Sequence, residues 1–450
     1  MSIIGRLIRF RPRHYLQEAG AITTAPEVPV AGQRAESPSH LTRYMTYAAL
    51  MGAVPGLLGF GEVIARKSLG ASALEVTALT MIAPLGAASS LWWARLMQGR
   101  SQGKFILLFG SLGALSVASG MFLSGVGHLL AIWLLYHLFI QALFGQAENR
   151  VLQQHTDPRR TGRVYGLAQS LAMGIAGILA FGAGIYMDRV DTGYRHIFLP
   201  MALILFGAVY LLGTIPTRRA SGDRVELGGR LAYRPVAQMI ELLTKRPDFL
   251  RFETAFMLYG IAFMMILPVV PLYLVDDLEL TYRQIGTAQG AVMKTAMILA
   301  IPVCGRFFDR STPHRMGTLT FWLLATYPLL LLSALLFTGT LRLMAIHTAF
   351  AVFGIAMSGV VVLWNLSSIR FSGGEDSNIY QSVHVAATSI RGSFAPLLGL
   401  ASMSLFGRPV TLAISSALWM LAGLMMIWMR RLDLKRGDYR TLRAQMHPVH

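Results

Sequence analysis

Cysteine, acid and soluble sequence are what this chain lacks. A single cysteine, Cys304, in 450 residues excludes an internal disulfide, so nothing here points to an oxidising compartment. Only 14% of residues are charged while 54% are hydrophobic, with a mean hydropathy of +0.52, which excludes an ordinary water-soluble domain. Acids are outnumbered nearly two to one, 22 Asp and Glu against 40 Lys and Arg. No Gly-x-x-x-x-Gly-Lys-Ser/Thr segment is present, so direct ATP drive has no support. There are no metal-spaced His/Cys clusters, no carboxylates paired at one depth and no nucleophile beside a base. The loops are also too short to build a catalytic domain, so neither an enzyme, a metal nor a cofactor is expected.

What the chain does have is apolar length. A membrane-spanning helix needs about 20 apolar residues. Twelve such stretches are predicted, near 42–66, 74–97, 104–125, 127–147, 164–187, 195–215, 249–274, 283–304, 316–338, 342–366, 379–405 and 408–430. The expected class is an all-α polytopic membrane protein with twelve transmembrane helices in two six-helix lobes. The expected division is a basic segment and linker (1–40), a first lobe (41–216), an inter-lobe loop (217–248), a second lobe (249–431) and a tail (432–450). Residues 1–17 are basic with scattered apolar positions and lack a signal peptide's long apolar core, so they read as a surface-lying amphipathic piece, with a disordered basic tail as the alternative. Val236 to Leu243 shows helical spacing of apolar residues and reads as a helix lying along the membrane face.

The net charge of +18 is not a nucleic-acid signature. With both termini placed on one side, only Arg66, Lys67, Arg189, Arg195, Arg283, Arg342 and Arg408 fall on the other side. That is the positive-inside bias, and it predicts an inner, plasma-membrane protein with both termini cytoplasmic and its basic loops against anionic lipid heads.

The chain also repeats itself. Tyr165, Ile175, Gly177, Ala180 and Gly184 recur in register as Tyr380, Ile390, Gly392, Ala395 and Gly399. An apolar chain with such a repeat is a duplicated bundle, the design of secondary transporters with a site near the bilayer midplane. Between the eighth and ninth spans lies Gly305-Arg306-Phe307-Phe308-Asp309-Arg310, followed by Arg315. Gly305 would let helices approach, and Asp309 would be held by Arg310 and Arg315 at the membrane surface; the plainer reading of Asp309 is a helix-end charge.

These features resemble the major facilitator superfamily, whose loops between helices 2 and 3 and helices 8 and 9 carry Gly-x-x-x-Asp-Arg followed by basic residues. The stretch Pro268-Val-Val-Pro271 through Leu280-Thr281-Tyr-Arg-Gln-Ile285-Gly286 is similar to that family's hairpin between helices 7 and 8. In the first half the motif reads Ala94-Arg-Leu-Met-Gln98-Gly-Arg100, with Gln98 in place of the acid, which predicts a weaker lock on that side. The resemblance implies that helices 5 and 8, and helices 2 and 11, face one another between lobes. For the Gly174 to Gly184 run the alternative is ordinary small-residue packing within a lobe.

Two cations lie where lipid would make them costly. Lys294 and Arg391 each fall about 11 residues into their spans, roughly 16 Å deep in a core about 30 Å thick. A midplane cation costs at least about 2.5–3.5 kcal/mol. Their repeat counterparts are Ala83 and Ala176, so duplication does not account for them. No acid is expected at the same depth, because Glu62, Glu148 and Glu253 fall near span ends. The solute is therefore expected to bring the anion, clamped by Arg391 and attracted by Lys294. The alternatives are that Arg391 bonds helix carbonyls near Gly392, and that Lys294 sits uncharged and couples transport to pH. His137, with Gln141 one turn on, and His384 are the remaining central polar candidates, with structural hydrogen bonding as their alternative. Tyr259 and Asn365 are candidate cavity walls or packing residues, and Met257, Met264 and Met265 either a soft wall or core filling.

The expected function is secondary transport of a small solute, an organic acid or phosphate-bearing molecule, by alternating access, with protons or a counter-transported anion as the candidate coupling partners. A proton-coupled exporter of amphiphiles, and a non-transporting sensor or lipid-handling protein, are the alternatives. A monomer is expected.

Overall fold

The computed structural model describes residues 38–89, 93, 96–97, 101–156, 161–217, 233–372 and 377–436. Among the described residues, twelve helices run between two faces. Ten are long and apolar enough to span by themselves: α1 (Ser39–Lys67), α3 (Gln102–Phe122), α4 (Val126–Leu152), α5 (Val164–Arg189), α6 (Gly193–Thr214), α7 (Pro247–Asp277), α8 (Tyr282–Asp309), α9 (Pro313–Leu336), α10 (Gly339–Ser372) and α12 (Arg408–Leu434). Two fall short for different reasons. α2 (Ala73–Ala88) is described over only 16 residues, and α11 (Ser377–Phe406) is long but carries Gln381, His384, Thr388, Ser389, Arg391 and Ser393. A helix this polar stays in a membrane only when its neighbours cover it.

The even number of crossings puts residues 38 and 436 on one side, called here the terminal face; the opposite side is the far face. α1 to α6 form one lobe and α7 to α12 the other. A connecting helix (Tyr233–Lys245) lies between them; its Met239, Leu242 and Leu243 pack on the core while Ile240 is exposed. This agrees with the apolar spacing read from Val236 to Leu243.

The duplication is visible in local chemistry. α2 opens with a capping box made by Ser72 and Glu75, and α8 with one made by Thr281 and Gln284. Each satisfies amide donors that a helix start would otherwise leave bare. In the first lobe α1 packs on α5 through glycines: a Cβ on Gly52 would overlap the Ala172 backbone, and one on Gly56 would meet the Ala176 carbonyl at 2.6 Å. In the second lobe α7 meets α11 in the same way at Gly260, but Arg391 stands where the first lobe has Ala176.

The second lobe is built on an aromatic column. Phe252 stacks on Phe256 at 5.6 Å, Phe256 meets Tyr259 edge-on at 4.8 Å, and Tyr259 stacks on Phe321 of α9 at 4.6 Å. Such pairs contribute about 0.5–1.5 kcal/mol each beyond burial. The Trp419 indole of α12 donates to the Tyr259 carbonyl at 3.0 Å, tying the column to a third helix.

Candidate functional site between the lobes

The lobes meet at the far-face ends of α5 and α8. Gly184 of α5 would place a Cβ 2.5 Å from the Tyr282 carbonyl, Gly286 of α8 would place one 2.6 Å from the Ala180 carbonyl, and Gly177 would place one 3.1 Å from the Gly290 carbonyl. Only glycine allows backbones this close. A second crossing joins α11 to α2, where a Cβ on Gly392 would overlap the Pro84 ring.

Polar bonds fasten the same end. Asp188 of α5 accepts from the amides of Tyr282 and Arg283 at 2.8 Å each, while Thr281 takes the Gln284 amide. The first three bare donors of α8 are thus filled, two of them by the other lobe. Arg66 of α1 pairs with Asp276 of α7 at 2.8 Å, Arg408 pairs with Asp276 at 3.2 Å and with Asp277 at 2.5 Å, and Lys67 donates to the Leu280 carbonyl at 2.6 Å. Ser68 and the Tyr282 hydroxyl lie 2.6 Å apart. Spacing alone could not reveal this lock, because Arg66 and Asp276 close α1 and α7, helices far apart in the chain.

Toward the terminal face the helices separate. A Cβ on Gly166, Gly174 or Gly305 would meet nothing within 4 Å, and Tyr165, Leu167, Val303 and Phe307 are exposed. Asp309, Arg310 and Arg315 are exposed and form no ion pair among the described residues; the charge lock expected of them is not made in this conformation, and Gly305 mediates no close approach. Gln98 and Arg100 lie outside the described residues.

Lys294 sits on α8 one turn beyond Gly290, partly buried, its Cβ 3.3 Å from where a side chain on Gly177 would begin. It therefore stands where the closed half of the interface gives way to the open half. Among the described residues its ammonium has no hydrogen bond or ion pair. A seven-residue π turn, Gly286–Val292, immediately precedes it; such turns re-aim the side chains that follow and recur at functional sites.

Arg391 is placed differently. It is 3% exposed and held within the second lobe: one guanidinium nitrogen donates to the Phe256 carbonyl at 3.0 Å, another to Thr388 Oγ1 at 3.0 Å, and the plane lies over the Phe256 and Tyr259 rings at 5.4 and 5.8 Å. Its carbonyl partner is on α7 rather than near Gly392. A Cβ on Gly260 would overlap the guanidinium group. Gly260→Ala is accordingly expected to lower the unfolding temperature by the equivalent of about 1–3 kcal/mol, with Arg391→Ala in the same chain recovering part of the loss. Equal melting temperatures for Gly260→Ala and wild type would contradict this packing.

The other candidates divide. His137 is buried in the π turn His137–Gln141, its Nδ1 donating to the Trp133 carbonyl at 2.8 Å, and a Cβ on Gly86 would lie 2.9 Å from its own Cβ. Gln141 is exposed. Tyr259 belongs to the aromatic column, and Asn365 is exposed and donates to the Val361 carbonyl of its own helix at 2.8 Å. Met264 and Met265 are buried against Gly392 and Gly399 and fill the core. The structure also supplies an acid that sequence position hides: Glu253, 6% exposed, is bonded to His384 at 2.7 Å, one turn below the carbonyl that holds Arg391.

Two six-helix lobes joined by glycine contacts and parted around a cationic side chain define a two-lobed membrane carrier fold. The sequence matches the profile of the Major Facilitator Superfamily over residues 37–396, and the chain belongs to that family. None of the curated proteins compared matches it in sequence. Among solved structures it is similar to a point mutant of the nucleoside transporter NupG, with a TM-score of 0.68 at 12% identity over 87% of this chain and 99% of that one. The inward-open xylose transporter XylE from E. coli gives 0.61 at 14% over 86% and 95%. A bacterial homolog of the human lysosomal transporter Spinster, inward-facing and unoccupied, gives 0.61 at 12% over 90% and 99%. The chain is a multi-pass membrane protein of a transporter family, not of an enzyme family.

Proposed function

We propose that this protein is a secondary transporter that moves a small anionic solute by alternating access, seated in the inner membrane with its terminal face toward the cytoplasm. The conformation described here is then the inward-facing one, and the far-face lock is its outer gate. The lobes rock against each other so that the far-face α5–α8 contact opens, breaking the Asp188 and Arg66 bonds, as the terminal face closes. The observation that carries the anionic reading is Lys294: a partly buried cation without a partner among the described residues, on the helix that faces the other lobe, where the interface opens. A cation held there needs a counter-charge, and the solute is its source. Arg391, already bonded within its lobe, acts as a positioning residue for α7 and α11.

The test is a thermal-shift screen of the purified protein against inorganic anions, organic acids, sugar phosphates and amphiphiles, repeated on Lys294→Gln. A ligand at a hundred times its dissociation constant adds about 2.7 kcal/mol to native-state stability. One anion class should stabilise wild type and lose its effect in the variant. Stabilisation by amphiphiles alone, unchanged in Lys294→Gln, would replace this reading with an exporter of apolar solutes.

A further inference from the structure

His40, at the start of α1, and His155, just past the end of α4, meet at the terminal face of the first lobe. Their Nδ1 atoms lie 3.2 Å apart, although 115 positions separate them in the chain. The rings stand nearly edge to face, with centroids 4.7 Å apart and planes at 81°. His155 Nε2 donates to the Pro216 carbonyl at 2.6 Å, where the chain leaves α6. That bond places the proton of a neutral His155 on Nε2 and leaves the Nδ1 lone pair toward His40.

Both positions are held by the backbone around them. One turn beyond His40, Tyr44 donates to Glu148 of α4 at 2.8 Å, so α1 and α4 are already tied together. After His155 the Thr156 amide closes on the Leu152 carbonyl at 3.1 Å and the chain turns extended, with φ −119° and ψ 142°. The two imidazoles therefore project from fixed helix ends. Both residues are partly exposed, so water and ions reach them.

This geometry fits a shared divalent metal. Zinc binds imidazole nitrogen at about 2.0–2.1 Å, so between two nitrogens 3.2 Å apart it would stand about 1.3 Å off the line joining them, with an N–Zn–N angle of about 103°, close to tetrahedral. The bond from His155 Nε2 to a backbone carbonyl is what a metal-binding imidazole ordinarily makes with its second nitrogen, because it fixes the ring and raises its basicity. Without a metal, His40 Nδ1 donates to His155 Nδ1. On binding, that proton passes through water to His40 Nε2, so both rings stay neutral and no net proton is released. No group of three or more His, Cys, Asp or Glu gathers among the described residues, so water completes the coordination. The charge of Arg43 also acts on His40. With two protein ligands and a cation close by, affinity falls well below that of a four-ligand structural zinc site.

We propose that His40 and His155 form a binding site for a divalent transition-metal ion of the kind imidazole prefers, zinc, copper or nickel, on the terminal face of the first lobe. The ion joins the start of α1 to the end of α4 and, through Pro216, to the point where the first lobe gives way to the inter-lobe connection. Spacing along the sequence hides the site, because its ligands lie on different helices. It involves neither Lys294 nor the far-face lock, so it stands apart from the transport reading.

The test is zinc titration of the full chain, purified without a histidine tag, read by competition with a zinc-sensitive dye and by thermal unfolding. Wild type should bind zinc and unfold at a higher temperature in its presence. His40→Asn and His155→Asn keep a hydrogen-bonding side chain but lose the imidazole ligand. Each should weaken zinc binding by about 10-fold or more, since even loss of an outer-shell partner costs about 10- to 100-fold. His155→Cys in the Cys304→Ser background should bind zinc again, because a thiolate is a zinc ligand; a pair joined only by a hydrogen bond has no reason to regain it. Replacing His447 and His450 with alanine should change nothing. Zinc bound equally by wild type and both Asn variants, or by none of them, would overturn the proposal, as would loss of binding when only His447 and His450 are replaced.

Discussion

Replacing Gly184 with valine is expected to lower transport by about 5- to 150-fold while leaving both lobes folded. A Cβ at this position would lie 2.5 Å from the Tyr282 carbonyl oxygen, 3.0 Å from its carbon and 3.1 Å from the Arg283 Cα, all backbone atoms of the other lobe. None of these can rotate away, so the clash falls on the far-face-closed state and not on the packing within either lobe. Overpacking of this kind costs about 1–3 kcal/mol, which shifts the balance between the two states by about 5- to 150-fold. Labelling of Gly166→Cys in the Cys304→Ser background should slow as the terminal face closes, and turnover of the solute selected by the thermal-shift screen should fall in proportion. Gly182→Val is the control, because a Cβ there meets nothing within 4 Å. Equal turnover in the two valine variants would mean that the α5–α8 contact does not open during the cycle.

Lys294→Gln is expected to lower uptake of that solute by roughly 100-fold or more with little change in thermal stability. The amine makes no bond among the described residues, so its removal breaks nothing in the fold. In the loaded protein, a charge-assisted bond contributes about 1.5–3 kcal/mol, and leaving the solute's anion buried and unpaired costs about 3–5 kcal/mol. Lys294→Arg should restore part of the uptake, limited by the closeness of Gly177. Uptake undiminished in Lys294→Gln would remove the anionic reading.

The architecture was legible because each of its signals is local or periodic. Apolar length locates the spans, and the recurrence of Tyr165 through Gly184 as Tyr380 through Gly399 implies duplication. The glycines that repeat are the ones at which helices touch: Gly177 and Gly184 against α8, Gly392 against α2 and Gly399 against α7. The site was legible only in part. Depth along a helix singled out Lys294 and Arg391, but depth does not say which way a side chain turns. Arg391 turns inward because Gly260 leaves space beside it and Phe256 offers a carbonyl, and that pairing spans two helices distant in sequence. Glu253 was read as a span-end acid for the same reason, since its partner His384 lies 131 positions away. The far-face bonds of Asp188, Arg66 and Asp276 were not read from the sequence, because each joins helix ends far apart in the chain.

The most direct test of alternating access is cross-linking of Gly166→Cys with Gly305→Cys in the Cys304→Ser background. The two positions face the terminal-side opening, Gly166 lying about three turns below Gly177 on α5 and Gly305 about three turns beyond Lys294 on α8. Neither substitution meets a neighbouring atom within 4 Å. With the far-face lock intact, short bifunctional maleimides should leave the pair unlinked. With Asp188→Ala and Arg66→Ala added to break that lock, the same reagents should join the two cysteines as the terminal face closes. Cross-linking to the same extent in both backgrounds would contradict the account, because the two lobes would then not exchange one closed face for the other.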